Sequence, residues 1–259
     1  DIFNSGSGAE SDAYIIVDET HLQNIKYRPS AIYMLGDNIS LTTDYKPVES
    51  FNGTLNGNDK YIYGYNISGV NEFVGLFKQS NDARFINIKL SRFDIDVMPQ
   101  NEDLNISILV SNATNTYFDN IVVTSSSIKL TKDIANTSEY AGNINNSGKI
   151  YIGAIAGYAS GCTFKNYDVV MDTTKNANII INAKGGPSIK IYVGSVVGYA
   201  DESVFETELT YDNTYNTFVM ETDIAPSGSG NNPPSLKVGA VVGNDATIGG
   251  SYYPYKNDI

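Results

Sequence analysis

The sequence predicts an all-β chain wound as a right-handed parallel β-helix with a short N-terminal capping helix. Three observations predict it: a composition suited to strands and turns, a glycine-flanked apolar octad that recurs, and a phenylalanine that follows four of the five copies by ten or eleven residues. Ile, Val, Tyr and Thr are abundant, as are Asn and Gly, whereas Leu, Ala and Glu are sparse. Such a chain favours pleated strands joined by many turns.

The octad Ile152-Gly153-Ala154-Ile155-Ala156-Gly157-Tyr158-Ala159 returns as Val193-Gly194-Ser195-Val196-Val197-Gly198-Tyr199-Ala200, then as Val238-Gly239-Ala240-Val241-Val242-Gly243-Asn244-Asp245. A shorter copy begins Val74-Gly75-Leu76-Phe77, and a serine-bearing one runs from Ile106-Ser107 to Ser111-Asn112. Between the first small positions the intervals are 32, 46, 41 and 45 residues, from 75 to 107, 153, 194 and 239. The motif stays constant while the spacing varies, so insertions lie between equivalent rungs. Phe85, Phe118, Phe164 and Phe205 follow ten or eleven residues on, and apolar residues resume at Ile86 and Ile88, at Ile121 and Val123, and at Val169.

A unit of this kind cannot bury its apolar side alone, so copies must stack and share a core. Gly75, Gly153, Gly157, Gly194, Gly198, Gly239 and Gly243 are expected to be structural, permitting tight turns and close backbone approach. Intervals of 41 to 46 residues suggest two coils per motif, each with three short strands. A right-handed winding follows from the steric preference of parallel crossovers. A propeller blade has a similar period and is the competing architecture, but its Trp-Asp signature is missing and the chain has no tryptophan.

Before the repeats, Val17 to Ile25 carry the helix signal: Asp18 can cap, and Leu22 and Ile25 share a face. The division expected is one domain over 1–259, with an N-terminal cap at 1–30, repeat coils at 31–250 and a C-terminal end at 251–259. Ile134 to Lys149 and Pro226 to Ser235 read as surface excursions, and Tyr252, Tyr253 and Tyr255 as a cover for the far end of the core.

Charge narrows the function. With 17 basic and 29 acidic residues the net charge is −12, which opposes nucleic acid and anionic lipid as partners. Apolar runs are too short and too interrupted by glycine to insert in a membrane. The numbering opens at Asp1 rather than methionine, as in a processed or excised piece of something longer. Sequons stand at Asn38, Asn52, Asn66, Asn105, Asn112, Asn136 and Asn145.

Few residues suggest catalysis, and no metal or cofactor is expected. His21 is the single histidine, so a zinc peptidase helix with two histidines cannot be assembled, and Cys162, the single cysteine, is read as a small buried side chain. Asp94 and Asp96 would share a strand face and are the best carboxylate pair for a carbohydrate-active enzyme. Asp201 with Glu202, or Glu206 with Glu208, could attract a cation, but nothing completes a ligand set. Arginine occurs only at 28, 84 and 92. No regular Thr-x-Thr file supports ice binding.

Tyrosine is more informative, at 19 residues. Tyr61 and Tyr63 flank inward Ile62, and Tyr158 and Tyr199 occupy equivalent repeat positions. Aligned on one face, they form a candidate strip for a sugar or a protein partner, with a turn-packing ladder as the competing role.

Tyr14 to Val17, Leu22, Tyr33 to Leu41, Phe51 to Asn58 and Val74 to Phe77, taken in that order before the octads, resemble bacterial surface proteins that carry the GLUG motif. The likeness extends from about Tyr14 to Tyr253 and departs from the family at Ser107 and Ser111, where glycines are usual, and in lacking tryptophan. The resemblance implies a right-handed parallel β-helix like those of bacterial adhesins and of the non-catalytic regions of immunoglobulin A proteases. It also implies a secreted or cell-surface module that is not an enzyme and whose partner is a glycan or protein of a host or neighbouring cell. A β-helix polysaccharide lyase or glycosidase working through Asp94 and Asp96 is the alternative.

Overall fold

Four parallel sheets carry more than half of the described residues. The computed structural model describes residues 2–69, 75–97, 103–133, 148–170, 178–185, 188–206, 220–226, 232–233, 235–239 and 241–244. The tyrosines at 252, 253 and 255, most of the 134–149 excursion and Glu208 lie outside these residues.

Sheet I contains Val48–Phe51, Phe77–Asn81, Val110–Thr114, Ala156–Ser160 and Val197–Asp201. Sheet II, with nine strands among the described residues, includes Thr54–Asn56, Arg84–Ser91, Tyr117–Thr124, Thr163–Val170 and Val204–Glu206. Sheet III contains Asn66–Gly69, Asp94–Val97, Ser127–Asp133, Ile179–Gly185 and Met220–Pro226, and sheet IV contains Leu104–Ile106, Lys149–Ile152, Lys190–Gly194 and Ser235–Gly239. From Phe77 onward the chain visits I, II, III and IV in turn, and each strand pairs in parallel with its counterpart from the preceding visit.

The octads are laid in register. Ile106 pairs with Ile152, Ile152 with Val193 and Val193 with Val238; Val110 pairs with Ala156, and Ala156 with Val197. Two expectations need correction. One motif interval holds four strands, one in each sheet, and not two coils of three. The Gly75 copy is also one residue short, because Phe77 pairs with Val110, so the true interval there is 33 residues. Gly75 absorbs the deletion at φ +152°, a conformation glycine adopts at no steric cost.

Left-handed backbone at recurring positions makes the bends. Asp82, Asn115, Gly161 and Glu202 have φ of 45–63° between sheets I and II, and Arg92 and Ser125 have φ of 64° and 49° between sheets II and III. Asn87, Asn120 and Asn166 have φ of 49–55° in the middle of sheet II strands. Asn and Asp tolerate this region best because their short side chains bond locally. The mid-strand bend interrupts strict alternation: Phe85 and Ile88 are both buried, three residues apart, and Ile86 between them lies half-exposed. The amide of Asn120 donates to Asn87 Oδ1 at 2.9 Å, tying successive bends together.

A left-handed residue also turns the next backbone N–H away from the ladder, and a small polar side chain recovers it. Thr116 N–H donates to Cys162 Sγ at 3.4 Å, Cys162 N–H to Ser203 Oγ at 3.1 Å and Phe93 N–H to Ser126 Oγ at 3.2 Å. Each of these side chains donates back to the carbonyl two residues earlier. The pattern accounts for Cys162, whose thiol is pushed up to about 11 by burial, against the pull of the Thr116 and Ser160 hydrogen bonds. Ser203→Ala should therefore lower stability by about 1–3 kcal/mol by orphaning the buried Cys162 N–H, whereas Cys162→Ser should preserve it. Urea unfolding midpoints test this, and equal midpoints for wild type and Ser203→Ala would refute it.

Inside, Phe85, Phe118, Phe164 and Phe205 form a continuous stack with centroids 5.4, 4.6 and 4.9 Å apart and interplanar angles of 9° or less. At the N-terminal end the helix Glu19–Asn24 is capped by Asp18, which accepts from His21 N–H, and Leu22 and Ile25 join the core. Phe3 packs on Tyr14 and Tyr33 at 4.4 and 5.2 Å, while Ser5 bridges antiparallel to Ile15 in the first strand of sheet II, Tyr14–Ile16. That bridge occupies an otherwise open sheet edge. At the far end the Asn244 carboxamide accepts from Ala200 N–H at 2.8 Å and donates to Ala200 O at 3.0 Å. One side chain thus stands in for the next peptide of sheet I.

Candidate functional site

The expected tyrosines separate into two different arrangements. Ile62 is buried, and the inward turn of its side chain sends Tyr61 and Tyr63 outward on the same face of Tyr61–Tyr63. Their rings stack at 5.3 Å with an interplanar angle of 3°. This strand pairs with the C-terminal half of Arg84–Ser91, Tyr61 opposite Lys89 and Tyr63 opposite Ser91. Lys89 Nζ consequently lies 5.7 Å from the Tyr61 centroid, and Arg92 Cζ lies 4.6 Å from that of Tyr63. Each cation is held over the electron-rich face of a ring.

Tyr158 and Tyr199 also stack, at 5.9 Å and 14°, as paired residues of sheet I. Two tyrosines of sheet IV join them: Tyr151 is 5.8 Å from Tyr158 and 4.9 Å from Tyr199, and Tyr192 is 5.3 Å from Tyr199. Sheets I and IV meet closely at glycine, so outward rings on both fill the corner between them. Burial, with smaller contributions from the other tyrosines and Asp103, pushes the Tyr151 hydroxyl up to about 12. Within the cluster Tyr158 and Tyr199 stack face to face, Tyr192 meets Tyr199 edge-on at 86° and Tyr151 is tilted against its neighbours, the mixed contacts by which the rings pack on one another.

Sequence reasoning passed over Tyr151 and Tyr192, although each stands seven residues before the tyrosine it helps to pack. It also passed over the cations beside Tyr61 and Tyr63, because register between strands brings them there.

The carboxylate candidates have internal partners. Asp94 and Asp96 share the outer face of Asp94–Val97, as expected, with Ile95 and Val97 buried between and beyond them. In register with the next circuit, Asp94 accepts from Ser127 Oγ and Asp96 faces Lys129 Nζ at 3.5 Å. Asp201, Glu202 and Glu206 are exposed. Among the described residues, no group of three or more His, Cys, Asp or Glu side chains converges as metal ligands, and no helix is long and apolar enough to cross a membrane.

His21 sits on the N-terminal helix, with Nδ1 accepting from Val17 N–H at 3.5 Å and lying 3.6 Å from Asp18 Oδ1. One further carboxyl was not anticipated. Asp168, on the outer side of sheet II, has a buried Oδ1 without a hydrogen-bond partner among the described residues, and burial raises its pKa above the usual carboxylate range.

No protein-family model matches the chain, and no curated protein matches it. Among solved structures the chain is similar to one described as a "putative immunoglobulin A1 protease" from Bacteroides ovatus, at 12% identity and a TM-score of 0.38, over 93% of this chain and 87% of that one.

Proposed function

We propose that the four parallel sheets are the walls of a single right-handed parallel β-helix, and that this solenoid is a non-catalytic adhesion or scaffold module of a secreted or cell-surface bacterial protein. In this reading one domain spans 1–259, with the cap at 1–30, the coils at 31–250 and the C-terminal end at 251–259. The in-register return of the chain to the same sheet after every fourth strand supports the coil, and the twist preference of parallel crossovers supports the hand. Kinship with GLUG-motif surface proteins belongs to the same reading and rests on the residue runs quoted for it.

The observation that carries the function is the Tyr61–Tyr63 pair on the outer face of sheet II, with Lys89 and Arg92 over the rings. An outward aromatic pair backed by cations is a contact surface for a glycan or protein of a host or neighbouring cell. The alternative, a lyase or glycosidase using Asp94 and Asp96, is less well supported, because both carboxylates already engage Ser127 and Lys129.

A glycan array combined with a cell-binding assay tests the reading. The wild-type chain should be retained by a ligand at micromolar concentration, and a Tyr61→Ala/Tyr63→Ala variant should bind about tenfold more weakly, the loss expected for one aromatic contact. Retention by no glycan and no cell surface would overturn the adhesive role.

A further inference from the structure

We infer that the outer face of Arg84–Ser91 and the adjoining Arg92 forms a binding stripe for an anionic saccharide chain, one bearing carboxylate or sulfate groups. The inference rests on the glycan-binding reading above and adds the chemistry of the ligand.

The segment Arg84-Phe85-Ile86-Asn87-Ile88-Lys89-Leu90-Ser91-Arg92 contains three cations and no acid, in a chain of net charge −12 with only three arginines. Burial of Phe85, Ile88 and Leu90 turns all three cations outward, where Arg84 and Arg92 are exposed and Lys89 is half-buried. Each cation lies over a tyrosine of a neighbouring strand. Arg84 Cζ is 4.9 Å from the Tyr117 centroid, and Lys89 and Arg92 lie over Tyr61 and Tyr63. A ring beneath a guanidinium holds it in place without consuming its N–H donors, which remain available for two-point contact with a carboxylate or sulfate.

Competing acids are few. Asp59 lies 3.3 Å from Lys89 Nζ but is 74% exposed, and an exposed pair of this kind contributes little and yields readily to another anion. Asp119, on the strand beside Arg84, is committed to the Tyr117 hydroxyl at 3.0 Å and to the Asn166 amide at 3.0 Å. Between the cations the outward side chains are Ile86 and Asn87, so the surface offers mainly polar groups and ring edges. That suits a hydroxyl-rich chain better than a peptide that must bury apolar side chains. At about 3.3 Å per residue the stripe extends at most about 26 Å, long enough for several sugar units.

Arg92 separates binding from folding. Its φ of +64° is costly for a branched-off side chain and free for glycine, so nothing in the backbone calls for arginine there.

Titration calorimetry of the full chain at low salt, with an oligogalacturonate, a heparin-derived oligosaccharide, neutral maltohexaose and poly-glutamate, tests the inference. One or both anionic saccharides should bind, which identifies the acidic group, while maltohexaose and poly-glutamate should bind at least about tenfold more weakly. Arg84→Gln and Arg92→Gln should each weaken binding about tenfold, as expected for a charge-assisted contact. Arg92→Gly should lose binding equally while melting at or above the wild-type temperature, and Arg28→Gln should bind like wild type. The inference falls if neither anionic saccharide binds, if poly-glutamate binds as well as the sugars, or if Arg28→Gln weakens binding as much as Arg92→Gln. Retention of the wild type on cells or neutral glycans without any anionic saccharide binding would sink this inference alone and leave the broader adhesive role standing.

Discussion

Gly198→Ala is expected to destabilise the protein by about 3 kcal/mol or more, the upper end of the cost of overpacking a close-packed interior. A Cβ at this position would lie 2.3 Å from Ile152 N, 2.7 Å from Gly157 O and 2.7 Å from Tyr151 C. All three are backbone atoms, so no rotamer change relieves the clash and sheets I and IV must separate. Gly157→Ala should be milder, because its Cβ would meet Asn105 and Ile106 atoms at 2.8–2.9 Å. In the preceding circuit the register position of Gly157 belongs to Ser111, which is accommodated at 5% exposure. Urea unfolding followed by far-ultraviolet circular dichroism should rank the variants wild type, Gly157→Ala, Gly198→Ala in falling stability. A Gly198→Ala midpoint indistinguishable from wild type would show that the two sheets are not in the close contact described.

Phe118→Ala should cost about 3–5 kcal/mol. The ring is 1% exposed and lies between Phe85 at 5.4 Å and Phe164 at 4.6 Å, so truncation removes two stacking contacts and leaves a cavity enclosed by packed side chains. Neighbours held by continuous parallel ladders on both sides cannot collapse into the space. Phe118→Leu, which refills much of the volume, should recover most of the loss. Phe205→Ala should cost less than Phe118→Ala, since among the described residues its ring stacks on Phe164 and meets Tyr167 edge-on at 6.3 Å. The same denaturation series tests this order, and equal losses at 118 and 205 would argue against a continuous stack.

Much of this interior was legible in the recurrence of residue types. The octads and the phenylalanine file repeat because residues in register experience the same neighbours, so the environment imposes the same side chain on each rung. The Asp18 cap and the Leu22–Ile25 face were legible for a different reason, since helix signals are local and complete within one or two turns. A further signal was present but unread. Left-handed Asn115, Gly161, Glu202 and Ser125 are each followed by Thr, Cys or Ser, the pairing of a backbone bend with the side chain that satisfies its displaced N–H.

The site was less legible than the core. Tyr61 and Tyr63 could be assigned to one outward face from alternation about Ile62, but Lys89 and Arg92 come from a strand 26 or more residues later in the chain. Their approach depends on register between strands and on the left-handed turn at Arg92. Tyr151 and Tyr192 were likewise missed, because strand alternation says which way a ring points and nothing about the angle at which two sheets meet.

The sequence by itself determined which side chains face inward, that copies of one unit stack in parallel, and that small residues must stand where backbones approach. Each of these follows from local alternation and recurrence, which a linear string preserves. Only the tertiary structure decided that each motif interval holds four strands, one in each sheet, that the Gly75 copy pairs one residue out of the expected step, and that the cations of Arg84–Arg92 lie over tyrosines of other strands. Those outcomes depend on the bend made at each left-handed residue and on how successive bends add up between one strand of a sheet and the next, and that sum has no local signature.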